Sequence, residues 1–139
     1  MGRILAIDYG KRRTGLAVTD QLRITANPLL TIDTPQLIKW LEEYVSKEQV
    51  DTIVVGYPRQ MNGSDSETVP AIRAMEQQLR ARLPQIPVVE YDERFTSVLA
   101  HQAMIAGGMK RKDRQNKANV DKLAACIILE GYLEGANRQ

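Results

Sequence analysis

Ile4-Leu5-Ala6-Ile7-Asp8-Tyr9-Gly10-Lys11-Arg12-Arg13-Thr14-Gly15-Leu16-Ala17 is the stretch that decides the fold. An apolar run ends in a carboxylate, passes two glycines and three consecutive cations, and resumes as Leu16-Ala17-Val18. This pattern predicts two antiparallel strands joined by a short loop with charge at its mouth. Side chains alternate between faces of a strand, so Ile4, Ala6 and Asp8 share one face while Leu5, Ile7 and Tyr9 share the other. Asp8 thus stands in line with core residues. A carboxylate there costs desolvation energy unless it lies at the open end of the strand and meets a cation. Two readings stay open on this stretch alone: a turn-initiating Asp beside a glycine, and a functional carboxylate.

The 139 residues are expected to form one domain over 1–139, large enough to bury a core without staples. No apolar run reaches membrane-spanning length, and Met1-Gly2-Arg3 leads into a strand rather than a signal peptide. A cytoplasmic protein with no membrane contact is the expectation. The one cysteine, Cys126, lies among Ala124, Ala125, Ile127 and Ile128 and reads as a buried apolar residue, so no disulfide forms within the chain. The net charge of +2 hides a division: residues 1–30 carry +3, 31–109 carry −4, 110–122 carry +4 and the remainder −1. Positive charge gathered into two segments of a nearly neutral chain points to a polyanion touching one face, such as nucleic acid, with a solvated basic loop as the alternative.

Along the chain, Leu22 to Leu30 reads as a third strand. Thr34-Pro35 marks a helix start, with Thr34 as N-cap, and Leu37, Leu41 and Val45 carry the helical period to about Lys47. Asp51 to Gly56 is a short β-branched run, the mark of a doubly buried strand parallel to the first. A loop from Tyr57 to Ser66 follows, at the end of a parallel strand where such folds hold ligands. The helix from about Glu67 carries Ile72, Met75, Leu79 and Leu83 on one stripe. The strand from Pro87 to Arg94 then puts Val89, Tyr91 and Glu93 on one face and Val88, Glu90 and Asp92 on the other. The more apolar face makes Glu93 the better site carboxylate, with Asp92 in reserve. A third helix is expected after Thr96-Ser97, ending at Gly107-Gly108. The basic segment Lys110 to Lys117 lacks periodicity and reads as a loop. A last helix is expected near Asn119, with Asp121 in its first turn, either as an acid offsetting the helix dipole or as part of a site.

The fold class expected from this order is α/β, with a central mixed five-stranded sheet whose first three strands are antiparallel and about four flanking helices. Asp8, Glu93 and Asp121 stand at element ends. Brought together they would repel one another, and a divalent cation relieves that repulsion. Oxygen donors suit Mg²⁺ or Mn²⁺, and such ions on a phosphodiester activate water and stabilise the leaving oxygen. Competing chemistries have less to rest on. His101 is the only histidine, no GxxxxGK[ST] loop exists, and no Cys/His set offers a zinc site. Asp8-x-Gly10 with Gly15 resembles the first phosphate loop of actin-like and sugar kinases, which need two such domains.

Four segments then carry a resemblance: Asp8 to Ala17; Val55-Gly56-Tyr57-Pro58 with Met61-Asn62-Gly63; Asp92-Glu93-Arg94-Phe95-Thr96-Ser97; and Val120-Asp121-Lys122-Leu123-Ala124-Ala125. Together they closely resemble the four motifs of the YqgF (RuvX) family and spread over nearly the whole chain. The resemblance implies an RNase H-like fold related to the RuvC Holliday-junction resolvase. It also implies a nuclease that processes the 5′ end of the small-subunit ribosomal RNA precursor, in a family once labelled as resolvases. Asp8, Glu93 and Asp121 would be its metal-binding catalytic carboxylates. Two departures stand out: Phe95 replaces the usual Leu, and the fourth carboxylate of related nucleases has no assigned counterpart. Lys11, Arg12, Arg13, Arg94, Lys110, Arg111, Lys112 and Arg114 are the candidate phosphate contacts. The expected partners are structured RNA first, branched DNA second, and a ribosomal precursor particle, with the chain a monomer or weak homodimer. A non-catalytic nucleic-acid-binding module is the competing class.

Overall fold

The computed structural model describes residues 2–23, 25–57, 69–92 and 117–137, without the side chains at 57, 92, 117–122 and 134–137. Strands β1 (Arg3–Asp8), β2 (Arg13–Thr19) and β3 (Ala26–Asp33) form an antiparallel meander. A short 3-10 turn, Thr34–Gln36, leads into α1 (Leu37–Lys47). Then come β4 (Val50–Tyr57), α2 (Val69–Arg82), β5 (Val88–Asp92) and α3 (Lys117–Asn137). The sheet order is β3-β2-β1-β4-β5, with β4 parallel to β1 and β5 parallel to β4. Parallel neighbours need crossovers, and α1 and α2 supply them. The expected mixed five-stranded sheet is therefore the one observed. The helix expected after Thr96-Ser97 lies outside the described residues.

The two faces of the sheet are packed differently. Leu5, Ile7, Leu16, Ile53 and Val55 face α1 and α2, where Leu37, Leu41, Ile72, Met75 and Leu79 close the larger core. Ile4, Ala6, Ala17 and Val54 face α3, meeting Ala125, Cys126, Ile128 and Leu129. Alternation along β1 thus sends its residues to separate cores, as the sequence pattern predicts. Burial pushes the Cys126 thiol up to about 11, with Glu130 adding to the effect, so it is a packing residue and no nucleophile.

Three boundaries differ from expectation for physical reasons. The third strand starts at Ala26 rather than Leu22, because residues 20–23 form a turn. Arg23 N–H donates to Asp20 O at 3.0 Å, Thr25 N–H donates to Asp20 Oδ1 at 3.0 Å, and Arg23 takes φ 58°. Asp at a turn start makes this kind of local bond. Thr34 does not cap the helix, for no side-chain cap bond forms there. Its hydroxyl instead donates to Gly10 O at 2.5 Å and lies 2.8 Å from the Thr14 hydroxyl. Finally, α3 begins at Lys117, so Asp121 is its fifth residue. Dipole stabilisation fades beyond the first turn, which weakens the reading of Asp121 as a mere dipole acid.

Candidate metal and nucleic-acid site

Asp8 closes β1, and its neighbours in the sheet leave it room. Gly15 of β2 stands directly opposite Asp8. On the other side Ile7 pairs with Val55, so Asp8 comes level with Gly56, which shares its face because Ala6 and Val54 do. Paired residues in adjacent strands project side by side on one face. Asp8 is therefore bracketed by two positions that project nothing. The row continues to Thr31 beyond Gly15 and to Tyr91 beyond Gly56. The tight loop after Asp8 has its own steric reason for glycine: a Cβ on Gly10 would collide with the Arg13 carbonyl oxygen.

Tyr91 and α3 complete the surroundings. Val89 and Tyr91 pack in the α3 core while Val88 joins the other, as the alternation of β5 predicts. A Cβ on Gly131 would strike the Tyr91 hydroxyl, so glycine lets α3 approach the sheet there. At its other half, the Cys126 thiol donates to Ala26 O at 3.4 Å. Helical periodicity puts position 121 on the stripe of Ala125 and Ile128, which packs against the face that Asp8 occupies. Glu93 lies outside the described residues, one step beyond the end of β5. Asp8 is thus the trio member with a described side chain. Among the described residues no group of three metal-capable side chains is assembled.

The cations divide as well. Lys11, Arg12 and Arg13 are all exposed. The Arg12 carbonyl accepts from Thr34 N–H at 2.9 Å, and with the Thr34 hydroxyl on Gly10 O this fastens the β1–β2 loop at two points. Lys11 turns towards α1 and α2, on the opposite side of the sheet from Asp8. Arg94, Lys110, Arg111, Lys112 and Arg114 lie outside the described residues.

Two features escaped the sequence reading. Gly56 had a signal, a glycine ending a β-branched strand, but its place beside Asp8 needed the register. Glu76, in the apolar stripe of α2, is 2% exposed, and its Oε2 has no hydrogen-bond partner among the described atoms. Burial and the neighbouring Glu90 push its carboxyl up to about 7, against the pull of Arg80 and Arg73.

Residues 2–135 match the profile of the RuvX family, described as Holliday junction resolvase. Among curated proteins, one of Phocaeicola vulgatus named "Putative pre-16S rRNA nuclease" is 60% identical over 96% of this chain and 96% of its own length. One of the same name from Parabacteroides distasonis is 50% identical over 100% of this chain and 99% of its own. Among solved structures, T. thermophilus RuvC in complex with Holliday junction substrate superposes with a TM-score of 0.60 at 15% identity, covering 98% of this chain and 97% of that one. That likeness establishes the RNase H-like fold. The profile match and the close relatives together show that the chain belongs to the RuvX family.

Proposed function

We propose that this chain is a metal-dependent endonuclease that hydrolyses phosphodiester bonds in the 5′ leader of the small-subunit ribosomal RNA precursor. The observation that carries the reading is the Asp8 carboxylate at the end of β1 with glycine on both sides. With no side chain projecting from either neighbour, the Asp8 oxygens are the donors of the kind that a hydrated divalent cation takes. Asp8, Glu93 and Asp121 would hold Mg²⁺ or Mn²⁺, which when bound activates water and stabilises the leaving oxygen. The chain's own part is to hold the strand in place. Arg12 and Arg13 grip phosphates next to the scissile bond, and Arg94 with Lys110, Arg111, Lys112 and Arg114 extends the grip. Phosphate contacts fix position but carry no sequence information. The precursor is favoured as substrate because the close relatives bear that name. We further propose that residues 1–139 act as one domain in the cytoplasm, as a monomer or weak homodimer.

The profile description favours a second reading, a resolvase acting on branched DNA. Symmetric cutting of a junction requires a two-fold dimer. One assay separates the readings: cleavage with Mg²⁺ or Mn²⁺ of ribosomal RNA precursor, single-stranded RNA and a four-way DNA junction side by side. Asp8→Asn removes several kcal/mol of metal-borne stabilisation, so cleavage should fall at least about a thousandfold. Salt-sensitive binding should survive. Cleavage at the wild-type rate would move the active site elsewhere, and cutting of the junction alone would make DNA the substrate.

A further inference from the structure

A groove of about 730 Å³ runs between α1 and α2, on the face of the sheet away from Asp8. Its size falls within the roughly 300–1,000 Å³ typical of small-ligand sites. Leu37 and Met75, both buried, give it an apolar floor, and half-buried Tyr9 forms an aromatic wall. Glu42, the carboxylate that lines it, is held by Arg82 at 3.1 Å. Lys11 and Lys39 stand exposed at the rim, with no ion pair among the described residues. The groove is therefore an apolar slot with one ring on its wall and two uncompensated positive charges at its edge.

A flat, weakly polar ring tied to a negative charge complements this combination, and a nucleotide has that form. Bases stack on aromatic side chains while cations track the backbone in single-strand grooves. The groove is also continuous with the β1–β2 loop, whose Lys11 lines it. Lys11 is three residues from Asp8, at most about 11 Å along the chain, so a strand crossing Asp8 can turn over the loop into it. We propose that the groove takes one unpaired nucleotide of the RNA strand flanking the scissile bond, its base against Tyr9 and its phosphate between Lys11 and Lys39. This rests on the nuclease reading above and gives it a selectivity: a single-stranded flank is preferred, because a paired base must first be unpaired and unstacked, at a cost of a few kcal/mol, to enter the slot.

The test is binding without cleavage, using the full chain as Asp8→Asn with no added metal. Fluorescence anisotropy is read with a short single-stranded RNA and with the same sequence fully paired. Lys39→Glu reverses a charge on the exposed side of α1 and should lower the preference for the single strand about tenfold. Tyr9→Ala should do the same by loss of stacking, and Tyr9→Phe, which keeps the ring, should restore it. RNA carrying 4-thiouridine should crosslink to the peptide that contains Tyr9 or Met75. If Lys39→Glu binds the single strand as the parent does, or weakens both RNAs equally, the subsite is refuted whether or not Tyr9→Ala folds. Because cleavage plays no part, failure of the nuclease reading in the Asp8→Asn assay is a separate result.

Discussion

The two faces of the sheet do different jobs with different residues. Towards α1 and α2 the strands present Leu5, Ile7, Leu16, Ile53 and Val55. Towards α3 they present Ile4, Ala6, Ala17 and Val54, with two glycines beside a carboxylate. Large side chains supply most of the burial that stabilises a domain, whereas small ones let a helix come near and leave space for chemistry. The contrast teaches that the larger core and the candidate metal site of the proposed nuclease lie on opposite sides of one five-stranded sheet, with the β1–β2 loop between them.

That division can be broken from either side. Leu41→Ala, in the large-residue core, should cost about 3 kcal/mol by cavity formation, read by denaturant unfolding. The cleavage rate per folded molecule should stay unchanged, and a matching loss of rate would show that the faces are coupled. Gly56→Val fills the space beside Asp8 and should lower cleavage about a hundredfold, the cost of displacing reacting groups by an ångström or so. Because Gly56 is buried, the variant should also lose about 1–3 kcal/mol by overpacking, so the rate is read per folded molecule. Ala6→Leu overpacks the thinner core and should cost about 2 kcal/mol, with activity falling as α3 is pushed from the sheet. A variant as stable as the parent would show that the α3 contact is looser than its packing implies.

The smallest effect concerns pH. The Glu76 carboxyl titrates at about 7 in the folded chain against an ordinary value of 4.5, so the folded state binds the extra proton between those values. Stability must then fall as pH rises from about 4.5 through 7. Glu76→Gln keeps the shape without the charge and should flatten this slope, gaining on the order of 1 kcal/mol at pH 8. Urea unfolding at pH 5 and pH 8 measures it, and an unchanged slope would assign the pH dependence to other groups.

How much of this was legible in the sequence follows from what each residue depends on. The β1 and β2 runs, the α2 stripe and the two faces of β5 were readable because periodicity alone determines them. Their buried members, Leu5, Ile72 and Leu79, are where the pattern puts them. The start of β3 was misjudged because it is an edge strand in which no residue is fully buried, so its alternation is weak and the turn bonds of Asp20 decide the boundary. Thr34 looked like a cap because Thr-Pro is a cap signal, but a competing acceptor 24 residues away won its hydroxyl. In the candidate site, the place of Asp8 at the end of β1 and the exposure of the loop cations were legible from local chemistry. The glycine pair around Asp8 was only half so, because Gly56 gains its meaning from register across two strands. Glu76 was illegible, since a carboxylate within a buried stripe reads as an exposed interruption.

The bonds from Thr34 to Gly10 and Arg12 also tie the shape of the cation-bearing loop to the third strand. Thr34 follows β3, which is held near the loop by its pairing with β2, itself paired with β1. The cation-bearing loop is therefore fastened by a residue whose place depends on three strands being in register. Without those two bonds Lys11, Arg12 and Arg13 would keep their charges but lose the tether that fixes the loop backbone. The geometry of the loop is thus tied to a residue 24 positions away, just past the end of the edge strand of the sheet.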